Sequence, residues 1–85
     1  MRYFVYILRC IDGSLYTGIT WNLKKRVGEH NLGLSNYTKP KIPVKLIYFE
    51  DCNDKISAAK REKEIKGWSR QKKLNLANSS RLSLR

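Results

Sequence analysis

The chain has 85 residues, of which 41% are hydrophobic, and it carries a formal net charge of +11 at pH 7. This length fits one small domain with a single thin core. The charge favours a polyanionic partner, with nucleic acid ahead of an anionic membrane surface. It is concentrated at the C-terminal end, since residues 55–85 hold ten lysines and arginines against two glutamates. A basic surface that serves only solubility is the alternative to nucleic-acid binding.

Targeting signals and structural metal sites are not indicated by the sequence. No run approaches the roughly 20 apolar residues of a membrane span, and Arg9 and Asp12 interrupt the N-terminus too early for a secretory signal. We therefore expect no membrane segment and a cytoplasmic location. Cys10 and Cys52 show no CxxC spacing, and one histidine cannot complete a zinc site. Buried thiols at strand ends are favoured over a disulfide.

The first two elements are predicted to form a β-hairpin. Residues 2–10 and 14–20 are rich in Tyr, Val, Ile and Phe, as strands are. The pair Asp12-Gly13 between them predicts a type I′ turn, which needs positive φ at both central residues. This hairpin would place Tyr16 beside Tyr6 on the neighbouring strand.

A helix is predicted next, from Asn22 to His30, with Asn22 as its N-cap. Asn22, Arg26 and His30 follow at steps of four, so they share one helix face. Two tyrosines, an arginine and the single histidine of the chain thus converge within thirty residues. Residues 33–43 contain two prolines and are predicted to form a loop.

The second half of the chain is predicted to contain one strand and two helices. The strand covers residues 44–50, and Asp54 caps a helix over residues 55–66. Gly67 is expected to close that helix as a C′ glycine. Ser69 is a suitable N-cap for the last helix, which would extend to about Ala77.

The resulting order β-β-α-β-α-α predicts an α+β fold, a small antiparallel sheet with helices packed on it. We expect one domain over residues 1–78 and a frayed tail over residues 79–85.

Glu62 is the acidic residue whose position is most informative. It shares one face of the second helix with three apolar residues, Ala58, Ala59 and Ile65. A carboxylate on a buried face costs free energy unless it is paired or binds a cation, so Glu62 is a candidate ligand for a divalent metal. Glu64 falls with Lys60 on the polar face, where an exposed ion pair explains it. A Glu62 paired with Arg61 or with a strand residue is the alternative.

The other candidate residues are individually weak signals. Arg26 has five fixed donors that suit a phosphate, and His30 can accept or relay a proton near neutral pH. Ordinary alternatives exist for each: a surface or capping histidine, a solvated basic helix face, and strand tyrosines that simply pack.

Four motifs in order carry a family resemblance. They are Phe4-Val5-Tyr6, Tyr16-Thr17-Gly18, Asn22-Leu23-Lys24-Lys25-Arg26 with His30, and Ala58-Ala59-Lys60-Arg61-Glu62. Together they resemble the GIY-YIG nuclease superfamily, and most closely its small stand-alone bacterial branch. The resemblance covers residues 2–74 and extends to Ile65-Lys66-Gly67-Trp68-Ser69-Arg70. It implies a three-stranded antiparallel sheet flanked by helices.

The same resemblance implies hydrolysis of phosphodiesters with one divalent ion, Mg²⁺ or Mn²⁺, held by Glu62. Tyr6 would deprotonate the attacking water, Tyr16 would orient it, and Arg26 would stabilise the charge that develops on the phosphate. A free phenol has a pKa near 10, so Tyr6 needs either nearby positive charge that lowers this pKa or a neighbour that takes its proton, and His30 is suited to the second task. Gly18, which lacks a Cβ, would allow close approach to the site.

Seven basic residues are expected to contact the nucleic-acid backbone: Lys24, Lys25, Lys39, Lys41, Arg70, Lys72 and Lys73. DNA is favoured over RNA as the partner. Two positions depart from the family pattern. Phe4 stands where the family name has its first glycine, and the asparagine that many members place after the metal-binding glutamate has no clear counterpart. The main alternative is a nucleic-acid-binding module with the same fold and little or no cleavage activity, and an anionic-membrane binder ranks last.

Overall fold

The computed structural model describes residues 2–79 and consists of a three-stranded antiparallel sheet with three α-helices. In chain order the elements are β1 (Tyr3–Arg9), β2 (Leu15–Thr20), α1 (Leu23–Asn31), β3 (Lys45–Cys52), α2 (Lys55–Lys66) and α3 (Arg70–Ser79). The predicted α+β fold class and element order are thereby confirmed. Ser79 belongs to α3, and residues 80–85, most of the predicted tail, lie outside the described residues.

The strand β1 is the centre of the sheet, whose order is β2-β1-β3. Because successive side chains of a strand point to opposite faces, β1 contributes to two separate cores. Val5 and Ile7 pack in the core with residues of α2 and α3, whereas Tyr6 and Leu8 pack in the core on the side of α1. The sheet is therefore a middle layer, with α1 on one face and α2 and α3 on the other.

The hairpin between β1 and β2 differs from the predicted type I′ turn. Gly13 has φ +86°, but Asp12 keeps a negative φ. The amide of Gly13 donates to the carbonyl of Cys10 at 2.9 Å, and the amide of Cys10 donates to the carbonyl of Ser14 at 2.9 Å. This is a three-residue loop with one left-handed glycine. Asp12 stabilises this loop through its side chain, because its carboxylate accepts hydrogen bonds from the amide and the hydroxyl of Ser14 at 2.9 and 2.6 Å.

Both ends of α2 lie where the sequence predicts them, but the conformation at Gly67 differs from that of a typical C′ glycine. Asp54 caps the helix as expected, since its carboxylate accepts from the amide of Ser57 at 2.8 Å. Gly67 has φ −78°, so it is not a left-handed C′ residue. Instead the chain stays right-handed, and the amides of Gly67 and Trp68 bond to the carbonyls three residues earlier at 3.1 and 3.0 Å. The tight turn leads directly into α3.

The buried face of α2 is narrower than expected. Ala58 and Ile65 are fully buried, but Ala59 is exposed. Both cysteines are free thiols, as predicted, but only Cys10 is buried, whereas Cys52 at the end of β3 is half-buried.

Candidate active site

Tyr6 and His30 form the centre of the site, between the sheet and α1. The hydroxyl oxygen of Tyr6 lies 3.0 Å from Nε2 of His30, and the two residues are 1% and 0% exposed. Asn22 fixes the start of α1, because its side chain accepts from the amide of Lys25 at 3.1 Å. His30 then falls two turns later on the face that packs against β1. The predicted convergence of these residues is therefore present in the structure.

The other nitrogen of the His30 ring contacts a residue that the sequence did not single out. Nδ1 lies 2.7 Å from Oγ1 of Thr38, and Thr38 is fully buried although it belongs to the loop between α1 and β3. A buried histidine needs a partner for each ring nitrogen. That rule predicts that a second partner exists, but no periodicity in a loop indicates which residue it is.

Tyr16 lies next to this pair. Its ring centroid is 6.2 Å from that of Tyr6 and 5.0 Å from that of His30. The strand register produces this arrangement, since Tyr16 pairs with Leu8 and Gly18 pairs with Tyr6. The two tyrosines are therefore diagonal neighbours on one face of the hairpin.

Gly18 creates the space that the tyrosines occupy. A Cβ at this position would lie 2.7 Å from the hydroxyl oxygen of Tyr6 and 3.0 Å from Cε2 of Tyr16. Any side chain would therefore push the Tyr6 hydroxyl out of its place. This is a more specific reason for the glycine than close approach of the backbone.

Arg26 lies on the same face of α1, one turn before His30. Its guanidinium donates to the carboxylate of Glu29 at 3.1 Å, and both side chains are about one-third exposed, at 32% and 31%. This pair, with Asn22 and Trp21, borders a cavity of about 220 Å³ that opens beside the start of α1. Arg26 is thus held near Tyr6 while part of it remains accessible to a ligand.

Burial and charge shift the protonation of the central pair in opposite directions. Burial raises the pKa of Tyr6 to about 12, although the neighbouring guanidinium of Arg26 opposes the shift. Burial lowers the pKa of His30, and the positive charge of Arg26 lowers it further. At neutral pH the site therefore contains a protonated phenol beside a neutral imidazole.

Glu62 is half-buried on α2, and its charge contributes to the raised pKa of Tyr6. Its side chain is 21% exposed, and its carboxylate pairs with Nζ of Lys66 at 3.2 Å. Glu64 is 55% exposed and pairs with Arg61 at 2.7 Å, not with Lys60 as predicted. Arg61 also pairs with Glu50 of β3 at 3.0 Å, so it is not the partner of Glu62.

Glu62 offers a single carboxylate, which suits a metal ion whose coordination shell is completed by waters and by the substrate. Among residues 2–79 no group of three or more His, Cys, Asp or Glu side chains comes together as a metal site. Mg²⁺ is commonly held by one or two carboxylates together with waters and substrate phosphates. The single hard oxygen ligand of Glu62, partly exposed near Tyr6, fits such an ion, which would replace the ammonium of Lys66.

The basic residues predicted to bind nucleic acid do not form one cluster. Two adjoining cavities of about 320 and 240 Å³ lie along β2 and α3, and we call them the β2 groove. The groove is lined by Ser14, Leu15, Tyr16, Thr17, Tyr37, Lys66, Arg70 and Lys73. Lys24 and Lys25 lie exposed in the first turn of α1, and Lys39 is exposed in the loop before β3.

Two of the predicted lysines contact aromatic rings. Nζ of Lys41 lies 4.3 Å from the ring centroid of Tyr37. Nζ of Lys72 lies 4.2 Å from the ring centroid of Trp68. Lys73 lines the β2 groove, whereas Lys72 does not. The predicted pair Lys72 and Lys73 therefore divides between two environments.

Comparison with known proteins identifies the family. A family model described as the GIY-YIG catalytic domain matches residues 2–75. The chain belongs to the GIY-YIG family. This GIY-YIG domain is 50% identical over 76 residues to a UPF0213 protein of Staphylococcus saprophyticus, covering 88% of this chain and 93% of that one. It is 46% identical over 80 residues to a UPF0213 protein of Desulfotalea psychrophila, covering 92% of this chain and 73% of the relative.

A solved structure supports the same fold. The solution NMR structure of a UPF0213 protein from Bacillus halodurans is similar to this GIY-YIG domain with a TM-score of 0.59 and 38% sequence identity. The likeness covers 92% of this chain and 84% of that chain. The family implies a nuclease-type fold that suggests nucleic-acid binding, and its nucleases generally use divalent metal ions. Within residues 2–79, no helix has the length and apolar character that a membrane crossing requires.

Proposed function

We propose that this protein is a metal-dependent endonuclease that hydrolyses phosphodiester bonds in nucleic acid, with DNA favoured over RNA. The observation that carries the proposal is the buried chain of hydrogen-bonding groups from Tyr6 through His30 to Thr38. Packing of an aromatic core does not require that the two ring nitrogens of a histidine contact the hydroxyl groups of a tyrosine and a threonine. A proton relay does need that arrangement.

Tyr6 acts as the general base in a coupled transfer, in which it gives its own proton to His30 while it accepts a proton from the attacking water. With a pKa of about 12, only roughly one phenol in 10⁵ is ionised at pH 7, so a free phenolate is too rare to be the working form. The attacking water gives its proton to the Tyr6 oxygen while the Tyr6 O–H proton moves to Nε2 of His30. The lowered pKa of His30 keeps Nε2 unprotonated and able to accept.

Thr38 selects the tautomer of His30 that this transfer requires. We assign Nδ1–H as donor to Oγ1 of Thr38, which leaves Nε2 as the acceptor for the hydroxyl of Tyr6. Thr38 does not touch the substrate in this mechanism. It is a positioning residue.

Arg26 and Tyr16 act on the substrate side of the relay. The guanidinium of Arg26 stabilises the negative charge that grows on the phosphate in the transition state, and Glu29 fixes its position. Tyr16, adjacent to the rings of Tyr6 and His30, orients the attacking water.

Glu62 would hold the divalent ion, Mg²⁺ or Mn²⁺. When bound, the ion supplies stabilisation of the charge on the departing oxygen. Lys66 has to leave the carboxylate for this to occur, since its ammonium is 3.2 Å from it. This contact also favours the second candidate function, a binding module in which Lys66 replaces the metal permanently. A cytoplasmic location stays a prediction from the sequence.

A panel of labelled substrates tests the proposal. The protein is incubated with single-stranded, duplex, flap and branched DNA and with RNA, in Mg²⁺, in Mn²⁺ and in EDTA. We expect cleavage of at least one DNA substrate with a divalent ion, none in EDTA, and cleavage at least about 100-fold slower by Tyr6→Phe. Binding without cleavage of any substrate by the wild-type protein would instead support the binding module.

A further inference from the structure

Tyr37 is an exposed aromatic residue directly before a buried one. Its side chain is 54% exposed, whereas the next residue, Thr38, is fully buried against His30. Its ring centroid lies 5.4 Å from that of Tyr16, with the planes tilted by 40°. Tyr37 is therefore presented to solvent immediately beside the proposed catalytic tyrosines, and the buried neighbour holds its backbone in place.

The surroundings of Tyr37 suit one nucleotide. Tyr37 and Tyr16 line the larger cavity of the β2 groove, together with Lys66 and Lys73. Its volume of about 320 Å³ is at the lower end of the roughly 300–1,000 Å³ of small-ligand pockets. An aromatic ring flanked by cations is the arrangement with which proteins hold unpaired bases, because the base stacks on the ring and the phosphates pair with the cations.

We propose that Tyr37 stacks on an unpaired nucleobase next to the scissile phosphodiester, and that the protein therefore prefers nucleic acid with an unpaired nucleotide at this position. The adjacency to the scissile bond rests on the proposed function. The stacking site itself rests only on Tyr37 and the β2 groove.

Lys41 lies over the ring of Tyr37, with Nζ 4.3 Å from its centroid, so a base that stacks on that face of the ring has to compete with this contact. An exposed cation–π contact of this kind strengthens an equilibrium by only about two- to fivefold. Stacking of a base on an aromatic side chain contributes about 5- to 150-fold. The base therefore displaces the lysine, whose ammonium becomes free to pair with a phosphate.

A fully paired duplex cannot use this site without cost. The bases of a duplex already stack on both faces, so one of them would have to leave the helix to reach Tyr37. That cost is smallest for a base that is already unpaired. The preference for unpaired nucleotides follows from this difference.

Binding in EDTA tests the proposal without requiring cleavage. The probes are a fluorescein-labelled DNA duplex and the same duplex with one extrahelical 2-aminopurine. Anisotropy reports affinity, and quenching of the 2-aminopurine fluorescence reports stacking. The proteins are the wild type, Tyr37→Ala, Tyr37→Phe and the control Ile56→Ala. Ile56 is 69% exposed at the start of α2, roughly 15 Å along the helix from Lys66.

We expect the wild type to bind the bulged duplex more tightly and to quench its fluorescence. Tyr37→Ala should lose about 5- to 150-fold in affinity for the bulged duplex, with less than about a twofold change on the paired one. Tyr37→Phe and Ile56→Ala should behave as the wild type, since the first keeps the ring and the second is remote. Thermal melting checks that each variant is folded.

Equal losses on both duplexes, or no loss for Tyr37→Ala, would overturn the proposal. If Tyr37→Ala does not fold, the wild type and Tyr37→Phe still decide, because absence of quenching by both contradicts stacking. A protein that quenches the bulged base but cuts no substrate would contradict the nuclease proposal and leave the stacking site intact.

Discussion

The hydroxyl oxygen of Tyr6 lies 3.0 Å from Nε2 of His30, and both side chains are almost completely shielded from water. Twenty-four residues separate them in the chain. Their pKa values are displaced in opposite directions, upward for Tyr6 and downward for His30. The phenol of Tyr6 therefore keeps its proton, and the neighbouring imidazole of His30 is able to accept it. The proposed mechanism depends on this relationship, which several substitutions can test.

Removal of the Tyr6 hydroxyl should separate catalysis from folding. In Tyr6→Phe the ring still packs, but the relay loses its first member, so single-turnover cleavage should fall by at least about 100-fold. The buried Nε2 of His30 is left without its partner, which should also lower the free energy of unfolding by roughly 1–3 kcal/mol. Cleavage at the wild-type rate by a folded Tyr6→Phe would contradict the general-base role.

Thr38→Val should change the tautomer of His30. Valine has nearly the shape of threonine but no hydroxyl, so Nδ1–H loses its acceptor and the proton is expected to move to Nε2. That nitrogen can then no longer accept from Tyr6, and the rate should fall by at least about tenfold. Nitrogen chemical shifts of the His30 ring report the tautomer directly.

Thr38→Ser is the matched control, because it keeps the hydroxyl and should retain the wild-type tautomer and most of the rate. The same shifts in Thr38→Val and in the wild type would show that Thr38 does not set the tautomer.

The lowered pKa of His30 predicts a specific dependence of stability on pH. The unfolded chain takes up a proton near the ordinary pKa of 6.5, whereas the folded protein resists it to lower pH. Stability is therefore complete above about pH 6.5 and decreases as the pH falls from there to the folded-state pKa. Urea unfolding at a series of pH values measures this decrease.

His30→Gln should remove that pH dependence, whatever its absolute stability. Asp12 and Asp54 also have lowered pKa values, but their ordinary value of 3.8 places their effect in a more acidic range. An unchanged slope between pH 5 and 6.5 in His30→Gln would assign the dependence to other groups.

Glu62 and Glu64 should respond differently to the same substitution. Glu62→Gln should abolish cleavage and the binding of Mn²⁺ in the presence of uncleavable DNA, since it removes the proposed metal ligand. Glu64→Gln should leave both nearly unchanged, because Glu64 is exposed and paired with Arg61. Electron paramagnetic resonance of Mn²⁺ provides a readout apart from activity. Equal effects of the two substitutions would exclude Glu62 as the specific ligand.

Lys73 and Lys72 should contribute unequally to nucleic-acid binding. If four to six basic residues contact phosphates, log affinity should fall with log salt with a slope of roughly −4 to −5 on duplex DNA. Lys73→Ala should flatten that slope by about one unit, because Lys73 lines the β2 groove. Lys72→Ala should change it less, since its ammonium lies over Trp68. A larger effect of Lys72 would place the nucleic acid outside the groove.

Local sequence patterns correctly predicted those parts of the fold that depend on residues close to one another in the chain. The spacing of Asn22, Arg26 and His30 indicated one helix face, and Asp54 and Ser69 both act as N-caps. The predictions that were wrong concern backbone conformations, which contacts with the surrounding residues can change. Asp12 has a negative φ in a three-residue loop in which its side chain bonds Ser14, and Gly67 is right-handed in the tight turn that leads into α3.

What the sequence alone determined is the family, the order of elements and the convergence of Tyr6, Tyr16, Arg26 and His30, because these follow from motifs and from the periods of strands and helices. Only the tertiary structure decided that Thr38 contacts His30 and that Tyr37 lies beside Tyr16, since a loop has no period and its residues find partners through space. The same holds for the pKa shifts of Tyr6 and His30. Burial causes both, and burial is a property of packing between elements rather than of residue order.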